Sequence, residues 1–176
     1  LLVNFGYSQN YLEQFDEDNG NYFVTDGFSV SIDNSELTIT GDGSNGPFNP
    51  VGYILQDENG NNVSVDITEN NKIFIRAKAS ALGTQLRMDI KDSDGYITSL
   101  DAITRTVVSD YVELEYEFTQ LQDGGYGGSS CESADAPCPV DPTKIAEIQF
   151  FINPGQPAFQ GTVVLDYIAF GEKPTS

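Results

Sequence analysis

Turn signals interrupt the sequence at short intervals and limit the fold more strongly than any other feature. Asn-Gly or Asp-Gly pairs occur at residues 19–20, 26–27, 42–43, 59–60, 94–95 and 123–124. Between them lie short apolar or alternating runs, and no segment keeps a helical period. Because such pairs tolerate positive φ at low cost, 59–60 and 94–95 are interpreted as hairpin turns. The pattern predicts an all-β sandwich or barrel.

The runs between these turns define the predicted strands. We predict strands at 22–25, 28–32, 36–40, 51–57, 62–67, 72–79, 85–91, 96–99, 104–108, 111–119, 145–152 and 162–170. Side chains of a strand alternate between the two faces of its sheet. Alternation therefore assigns to the core the apolar residues Ile73, Ile75, Leu86, Met88, Ile90, Leu114, Tyr116, Ile148 and Phe150.

The charge balance narrows the choice of partners. The 176 residues suffice for one substantial core, and they include 27 Asp and Glu against 8 Lys and Arg, a net charge of -19 at pH 7. Such a field disfavours nucleic acid and anionic membrane surfaces, and it favours neutral ligands and divalent cations. There is no His, which excludes His-based triads and His metal ligands. No apolar run approaches the ~20 residues of a membrane span.

Two cysteines, Cys131 and Cys138, lie in a stretch rich in Gly, Ser and Pro. A zinc site needs about four ligands, and these two lack further partners nearby. The spacing favours a local disulfide that staples a long loop, and two free surface thiols are the alternative. A disulfide implies an oxidising setting, so we expect a secreted or cell-surface protein.

The segment "GTVVLDYIAFG" at residues 161–171 places Asp166 among apolar residues on both faces. Strict alternation puts Val164, Ile168 and Phe170 on one side, and Val163, Leu165, Tyr167 and Ala169 on the other. A carboxylate between two covered faces costs several kcal/mol unless a donor or a cation meets it. Backbone amides and a bound cation are the two candidates.

The outward residues of the predicted strands include a polar set on what we interpret as one sheet: Arg76, Arg87, Asp89 and Gln149. A sandwich needs a wet outer face, and that is one explanation. The other is a ligand cleft, since such groups hydrogen-bond the hydroxyls of a sugar while aromatic rings cover its C–H face. The candidate stacking rings are Tyr53, Tyr96, Tyr111 and Tyr126.

Four segments in this order carry a family resemblance: "KIFIRAKASALGTQLRMDIKDSDGYITS", "VVSDYVELEYEF", "IAEIQFFINPG" and "GTVVLDYIAFG". Together with "LEQFDEDNGNYFV", they resemble non-catalytic carbohydrate-binding modules of families four and eleven, over roughly residues 12–171. The resemblance implies a two-sheet jelly-roll sandwich of the galactose-binding-like superfamily. The chain differs in having Tyr111 where the family often has Trp, and in the loop from Gly124 to Pro142.

The same resemblance implies a structural calcium ion that joins the opening segment to the last long strand. By position, Asp16 and Asp18 match the opening ligands and Asp166 matches the ligand on the strand. Ca²⁺ takes about 6–8 oxygen ligands, and it would neutralise Asp166. Glu17, between the opening acids, is interpreted as part of a solvated acidic turn.

These inferences define the expected function. Residues 1–171 are expected to form a monomeric module that binds a β-glucan, a mannan or a related glycan, and residues 172–176 the start of a linker within a multidomain chain. A sandwich that packs against a neighbouring catalytic domain is one alternative, and a jelly-roll enzyme acting on polysaccharides is another. Among 27 acidic residues, close carboxylate pairs arise by chance, and no nucleophile elbow or phosphate loop occurs.

Overall fold

The computed structural model describes residues 11–97, 104–118, 140–156 and 158–175. The strands in these residues are β1 (Tyr11–Glu13), β2 (Tyr22–Val24), β3 (Phe28–Asp33), β4 (Glu36–Asp42), β5 (Pro50–Ile54), β6 (Lys72–Ala79), β7 (Thr84–Asp92), β8 (Thr104–Val107), β9 (Val112–Glu117), β10 (Ile145–Ile152) and β11 (Gln160–Phe170). This confirms the prediction of an all-β chain. Within the same ranges there is no helix of the length and apolarity that crossing a membrane requires.

The strands form two antiparallel sheets. The first, named here the β11 sheet, has the order β3-β4-β11-β6-β9, and β1 pairs with β11 beyond the end of β4. The second, named the β10 sheet, has the order β2-β5-β10-β7-β8. The inward side chains of both sheets form one apolar core, which makes the fold a sandwich.

Alternation along the central strands matches the sequence prediction. The buried residues on β6, β7, β9 and β10 include Ile73, Ile75, Leu86, Met88, Ile90, Leu114, Tyr116, Ile148 and Phe150. Burial of each large apolar side chain contributes about 1.5–3 kcal/mol relative to exposure. Because these apolar residues point into the core, the residues that alternate with them on β7 and β10 point to the outer face.

Strand β11 departs from strict alternation at Asp166. Its pairing with β6 shifts register between Leu165 and Tyr167, which is a β-bulge with Asp166 as the extra residue. The core residues of β11 are Val163 and Leu165 before the bulge, and Ile168 and Phe170 after it. The predicted division of this strand into two faces was therefore wrong, because the bulge exchanges the faces halfway along.

Other local predictions have mixed outcomes. Residues 62–67 do not form a strand, since Asn62 and Val65 make only isolated bridges, and of 96–99 only Ile97 makes one. Residues 98 and 99 lie outside the described ranges. The turns at 59–60 and 94–95 are confirmed by the bonds Gly60 N to Asp57 O and Gly95 N to Asp92 O.

The short strand β1 is anchored by a half-buried carboxylate. The Tyr53 hydroxyl donates to Glu13 Oε2 at 2.5 Å, and the Phe15 N–H donates to Glu13 Oε1 at 2.7 Å. The ring of Phe15 meets Tyr53 edge-on, with centroids 5.6 Å apart. Tyr53 is only 2% exposed and belongs to the core, so the expectation that it stacks on a ligand was wrong.

We expect Tyr53→Phe to destabilise the protein by about 1.5–3 kcal/mol, because it removes a buried hydrogen bond to a charged group. Tyr22→Phe is the matched control. Its hydroxyl donates to Asp18 at 3.3 Å in an exposed position, so its loss should cost at most about 0.5 kcal/mol. Urea unfolding measures both, and equal effects would contradict an anchoring role for Glu13.

Candidate functional site

The outer face of the β10 sheet, named here the β10 face, has an aromatic ring lying on a glycine. Phe23 of β2 pairs with Gly52 of β5. A Cβ atom added to Gly52 would lie 1.9 Å from Cε1 of Phe23, so the ring occupies the space above this glycine. Phe23 is only half-buried, so part of this residue is accessible to a ligand.

A row of polar residues crosses the β10 face beside this ring. Gly52 pairs with Gln149 on β10, and Gln149 pairs with Asp89 on β7. Gln149 donates from Nε2 to Glu147 Oε1 at 2.8 Å. Glu147 also lies 3.5 Å from the ammonium group of Lys91. The face thus presents an amide, a carboxylate and an ammonium group next to an aromatic ring.

Arg87 and Asp89 form a bidentate ion pair on the same face. Arg87 donates from Nε to Asp89 Oδ1 at 2.9 Å and from Nη2 to Oδ2 at 2.7 Å. The guanidinium carbon lies 4.5 Å from the ring centroid of Phe151. Arg87 is 4%, Asp89 1% and Gln149 9% exposed. The expectation of a bare polar surface was therefore wrong for these three residues, which are fixed in place and largely covered.

Arg76 does not share this face. It lies on β6 in the β11 sheet, whereas Arg87 and Asp89 lie on β7 and Gln149 on β10 in the other sheet. The expectation that all four lie on one sheet was wrong. In both sheets an outward polar residue alternates with core residues, so alternation alone does not distinguish the two outer faces.

Tyr111 also lies on the outer side of the β11 sheet, among cations. Its ring centroid is 4.4 Å from the guanidinium carbon of Arg76 and 4.2 Å from Nζ of Lys78. Its hydroxyl donates to Glu36. Burial and this hydrogen bond raise the pKa of the Tyr111 hydroxyl above its ordinary value. Tyr111 is therefore part of an ion-pair network on the face opposite the β10 face.

The remaining candidates lie elsewhere. Tyr96 follows the turn at 94–95 and packs against the core, with its backbone N–H donating to Asp92. Tyr126, Cys131 and Cys138 lie outside the described residues, so their predicted roles stay predictions.

Asp166 has a protein partner. Arg76 Nη1 lies 2.6 Å from Asp166 Oδ2, and this hydrogen bond raises the pKa of the guanidinium. Asp16 accepts from the Ser35 hydroxyl, and Asp18 from Gly20 N–H and Tyr22. Within the described ranges, no three or more Asp, Glu, His or Cys side chains are grouped so as to hold a metal ion. The three predicted calcium ligands therefore do not form one such group in this arrangement, and the calcium site stays a prediction.

Phe23 and Gly52 were not among the residues singled out from the sequence. A glycine within a strand often marks the close approach of another group, and Gly52 lies within the predicted strand 51–57. That signal could have identified the position. It could not have identified Phe23 as the ring above it, because the pairing of β2 with β5 joins residues about 30 positions apart.

The fold is shared with solved structures of modules that bind carbohydrates. The module CtCBM11 matches with a TM-score of 0.61 and 16% identity, covering 99% of this chain and 100% of that chain. A family 11 carbohydrate-binding module of the cellulosomal cellulase Lic26A-Cel5E of Clostridium thermocellum matches with a TM-score of 0.57 and 14% identity, covering 97% of each chain. These matches confirm the predicted jelly-roll fold.

Larger proteins contain the same fold as one part. An exo-β-agarase matches with a TM-score of 0.59 and 12% identity over 96% of this chain. The chain spans 25% of that protein's length, 26% of the agarase AgWH50C and 22% of PfGH50B. No family model matches the sequence, and no curated protein matches it.

Two Asp-to-Asn substitutions test how burial changes the importance of an ion pair. Asp89→Asn should destabilise by about 3 kcal/mol, because it leaves a buried guanidinium beside a neutral group. Asp166→Asn removes a pair of similar length whose aspartate side chain is 31% exposed, so its loss should cost about 0–1 kcal/mol. Chemical unfolding compares them, and a larger loss for Asp166→Asn would contradict this assignment.

Proposed function

We propose that the chain is a non-catalytic module that binds a neutral polysaccharide across the β10 face. The observation that carries the proposal is the Phe23 ring held over Gly52, in line with Gln149. The jelly-roll fold shared with carbohydrate-binding modules supports it. The ligand class is a β-glucan, a mannan or a related glycan.

The mechanism is reversible adsorption to a largely preformed surface. The Phe23 ring covers the C–H side of one sugar unit beside the small exposed part of Gln149, while the partly exposed Glu147 and Lys91 hydrogen-bond hydroxyls further along the glycan. Each stack or hydrogen bond contributes about 1 kcal/mol. The Arg87–Asp89 pair fixes two side chains of β7, and the contact of the Arg87 guanidinium with the Phe151 ring joins them to β10. Such a surface loses little conformational freedom when it binds.

The electrostatics favour a neutral ligand. The net charge of -19 repels anionic polymers, and Glu147 places a carboxylate on the β10 face. An uncharged glycan avoids this repulsion and can donate hydroxyl protons to the carboxylate.

An enzymatic role receives less support from this face. Asp89 is buried and accepts hydrogen bonds from Nε and Nη2 of Arg87, and Glu147 contacts Gln149 and Lys91. A general acid or base needs access to the proton it transfers, and Asp89 lacks it.

We propose that the module works attached to a polysaccharide-active enzyme or a cell-surface system, outside the cytoplasm.

We expect Phe23→Ala to weaken glycan binding about tenfold, or about 1.4 kcal/mol, because it removes the aromatic surface. Tyr111→Ala is the matched control, since it removes a ring from the opposite face and should leave binding unchanged. Affinity electrophoresis against soluble β-glucans, mannans and xylans measures both. Loss of binding in Tyr111→Ala alone would place the site on the β11 sheet, and no retardation of the unmodified chain by any glycan would exclude the proposed function.

Structural calcium stays a prediction from the resemblance. An ion that binds only the folded state raises the melting temperature by mass action. We therefore expect a higher melting temperature in CaCl₂ than in EGTA, with MgCl₂ as the control cation. Identical melting curves would contradict a structural calcium ion. The ion pair with Arg76 would then be sufficient to neutralise Asp166.

A further inference from the structure

A cleft of about 480 Å³ opens at one end of the β10 face. Its floor includes Ala146 and Glu147 at the beginning of β10. The turn at 93–95, after β7, forms one wall, and residues 62–64, after β5, form the other. Lys91 and Glu147 line this cleft and also belong to the β10 face, so the two surfaces are continuous.

Buried hydrogen bonds hold the turn that forms the first wall. The buried Asp92 carboxylate accepts from the N–H groups of Asp94 at 2.9 Å and Tyr96 at 3.0 Å through Oδ1. Its Oδ2 accepts from Asp141 N–H at 2.9 Å. The turn is thus fixed to the segment that leads into β10.

Backbone bonds hold the second wall. Val63 N–H donates to Leu55 O at 2.9 Å, and Val65 exchanges two bonds with Ile145 at 2.8 and 3.0 Å. Both walls are therefore attached to the sheet by hydrogen bonds, as expected for a preformed pocket, and the volume lies within the range of about 300–1,000 Å³ of ligand sites.

The lining suits an uncharged, hydroxylated group. Lys91 and Glu147 offer a donor and an acceptor 3.5 Å apart, and both side chains are partly exposed. Ser64 and Ser93 add hydroxyl groups, while Ile54 adds an apolar surface. Each sugar hydroxyl can both donate and accept a hydrogen bond, so two neighbouring hydroxyls can accept from the ammonium and donate to the carboxylate together.

We propose that this cleft is a further subsite for the neutral glycan, one that holds a sugar unit beyond those over Phe23 and Gln149. The inference rests on the proposed function of the β10 face. It implies that affinity increases with chain length until the cleft is filled. It also implies that the glycan runs from the Phe23 ring past Glu147 towards the turn at 93–95.

The test measures how a cleft-filling substitution changes the affinity for oligosaccharides of different lengths. Ser64→Trp places a large ring at the exposed wall of the cleft, and Ser31→Trp puts the same change on an exposed residue of β3 in the other sheet. Calorimetric titration uses β-gluco- and manno-oligosaccharides from disaccharide to hexasaccharide. We expect Ser64→Trp to weaken the longest ligands about tenfold and the shortest binding ligand less than twofold, with Ser31→Trp unchanged.

A second variant and the Phe23→Ala protein separate the possible failures. Lys91→Met removes the ammonium group without filling the cleft, and it should weaken the longest ligands selectively. If Ser64→Trp and Lys91→Met bind every length as the unmodified chain does, while Phe23→Ala weakens all lengths, the subsite is wrong and the proposed function stands. If Phe23→Ala also binds normally, or if no oligosaccharide binds the unmodified chain, the proposed function fails and the subsite fails with it.

Discussion

The two-residue period of strand β10 couples the core to the candidate binding face. Ile148 and Phe150 are buried between the sheets, and this fixes Gln149 and Phe151 on the outer side. A slip of one residue would move every side chain of the strand to the opposite face, and apolar residues would replace the polar ones. Burial of the core thus determines the placement of the amide beside the Phe23 ring. The function proposed for the β10 face depends on that register.

The buried ion pair shows how the same face combines rigidity with polarity. Removing two charges from water is expensive, and good geometry with further hydrogen bonds is needed to offset that cost. The bidentate contact of Arg87 with Asp89, together with the Phe151 ring against the guanidinium, provides such geometry. An apolar pair of the same size could be equally stable, so stability alone does not explain charged residues here. A fixed polar arrangement beside Gln149 is consistent with a site that must keep its hydrogen-bonding directions.

Sequence reasoning recovered what depends on local periodicity and missed what depends on pairing between distant strands. Alternation correctly assigned the inner residues of β6, β7, β9 and β10. It failed on β11, because a bulge adds one residue and nothing in the sequence distinguishes an inserted Asp166 from a buried one. It also placed Arg76 with Arg87, since an outward arginine has the same pattern in either sheet. The Phe23–Gly52 contact and the burial of Tyr53 against Glu13 both join residues far apart in the sequence, so periodicity could not reveal them.

The two outer faces differ in what their aromatic rings can still contact. On the β11 sheet, Arg76 and Lys78 both lie over the Tyr111 ring, and Glu36 holds its hydroxyl. A sugar that stacks on this ring must first displace cations that the ring and neighbouring carboxylates stabilise. On the β10 sheet, Phe23 lies against the backbone of Gly52, and its ring has no hydroxyl group that could be held by a neighbour. Its accessible surface is apolar, so covering it with the C–H side of a sugar removes water from both surfaces without breaking an ion pair. Both outer faces carry an arginine, an aromatic ring and carboxylates. The accessibility of the aromatic ring is what favours the β10 face as the binding surface.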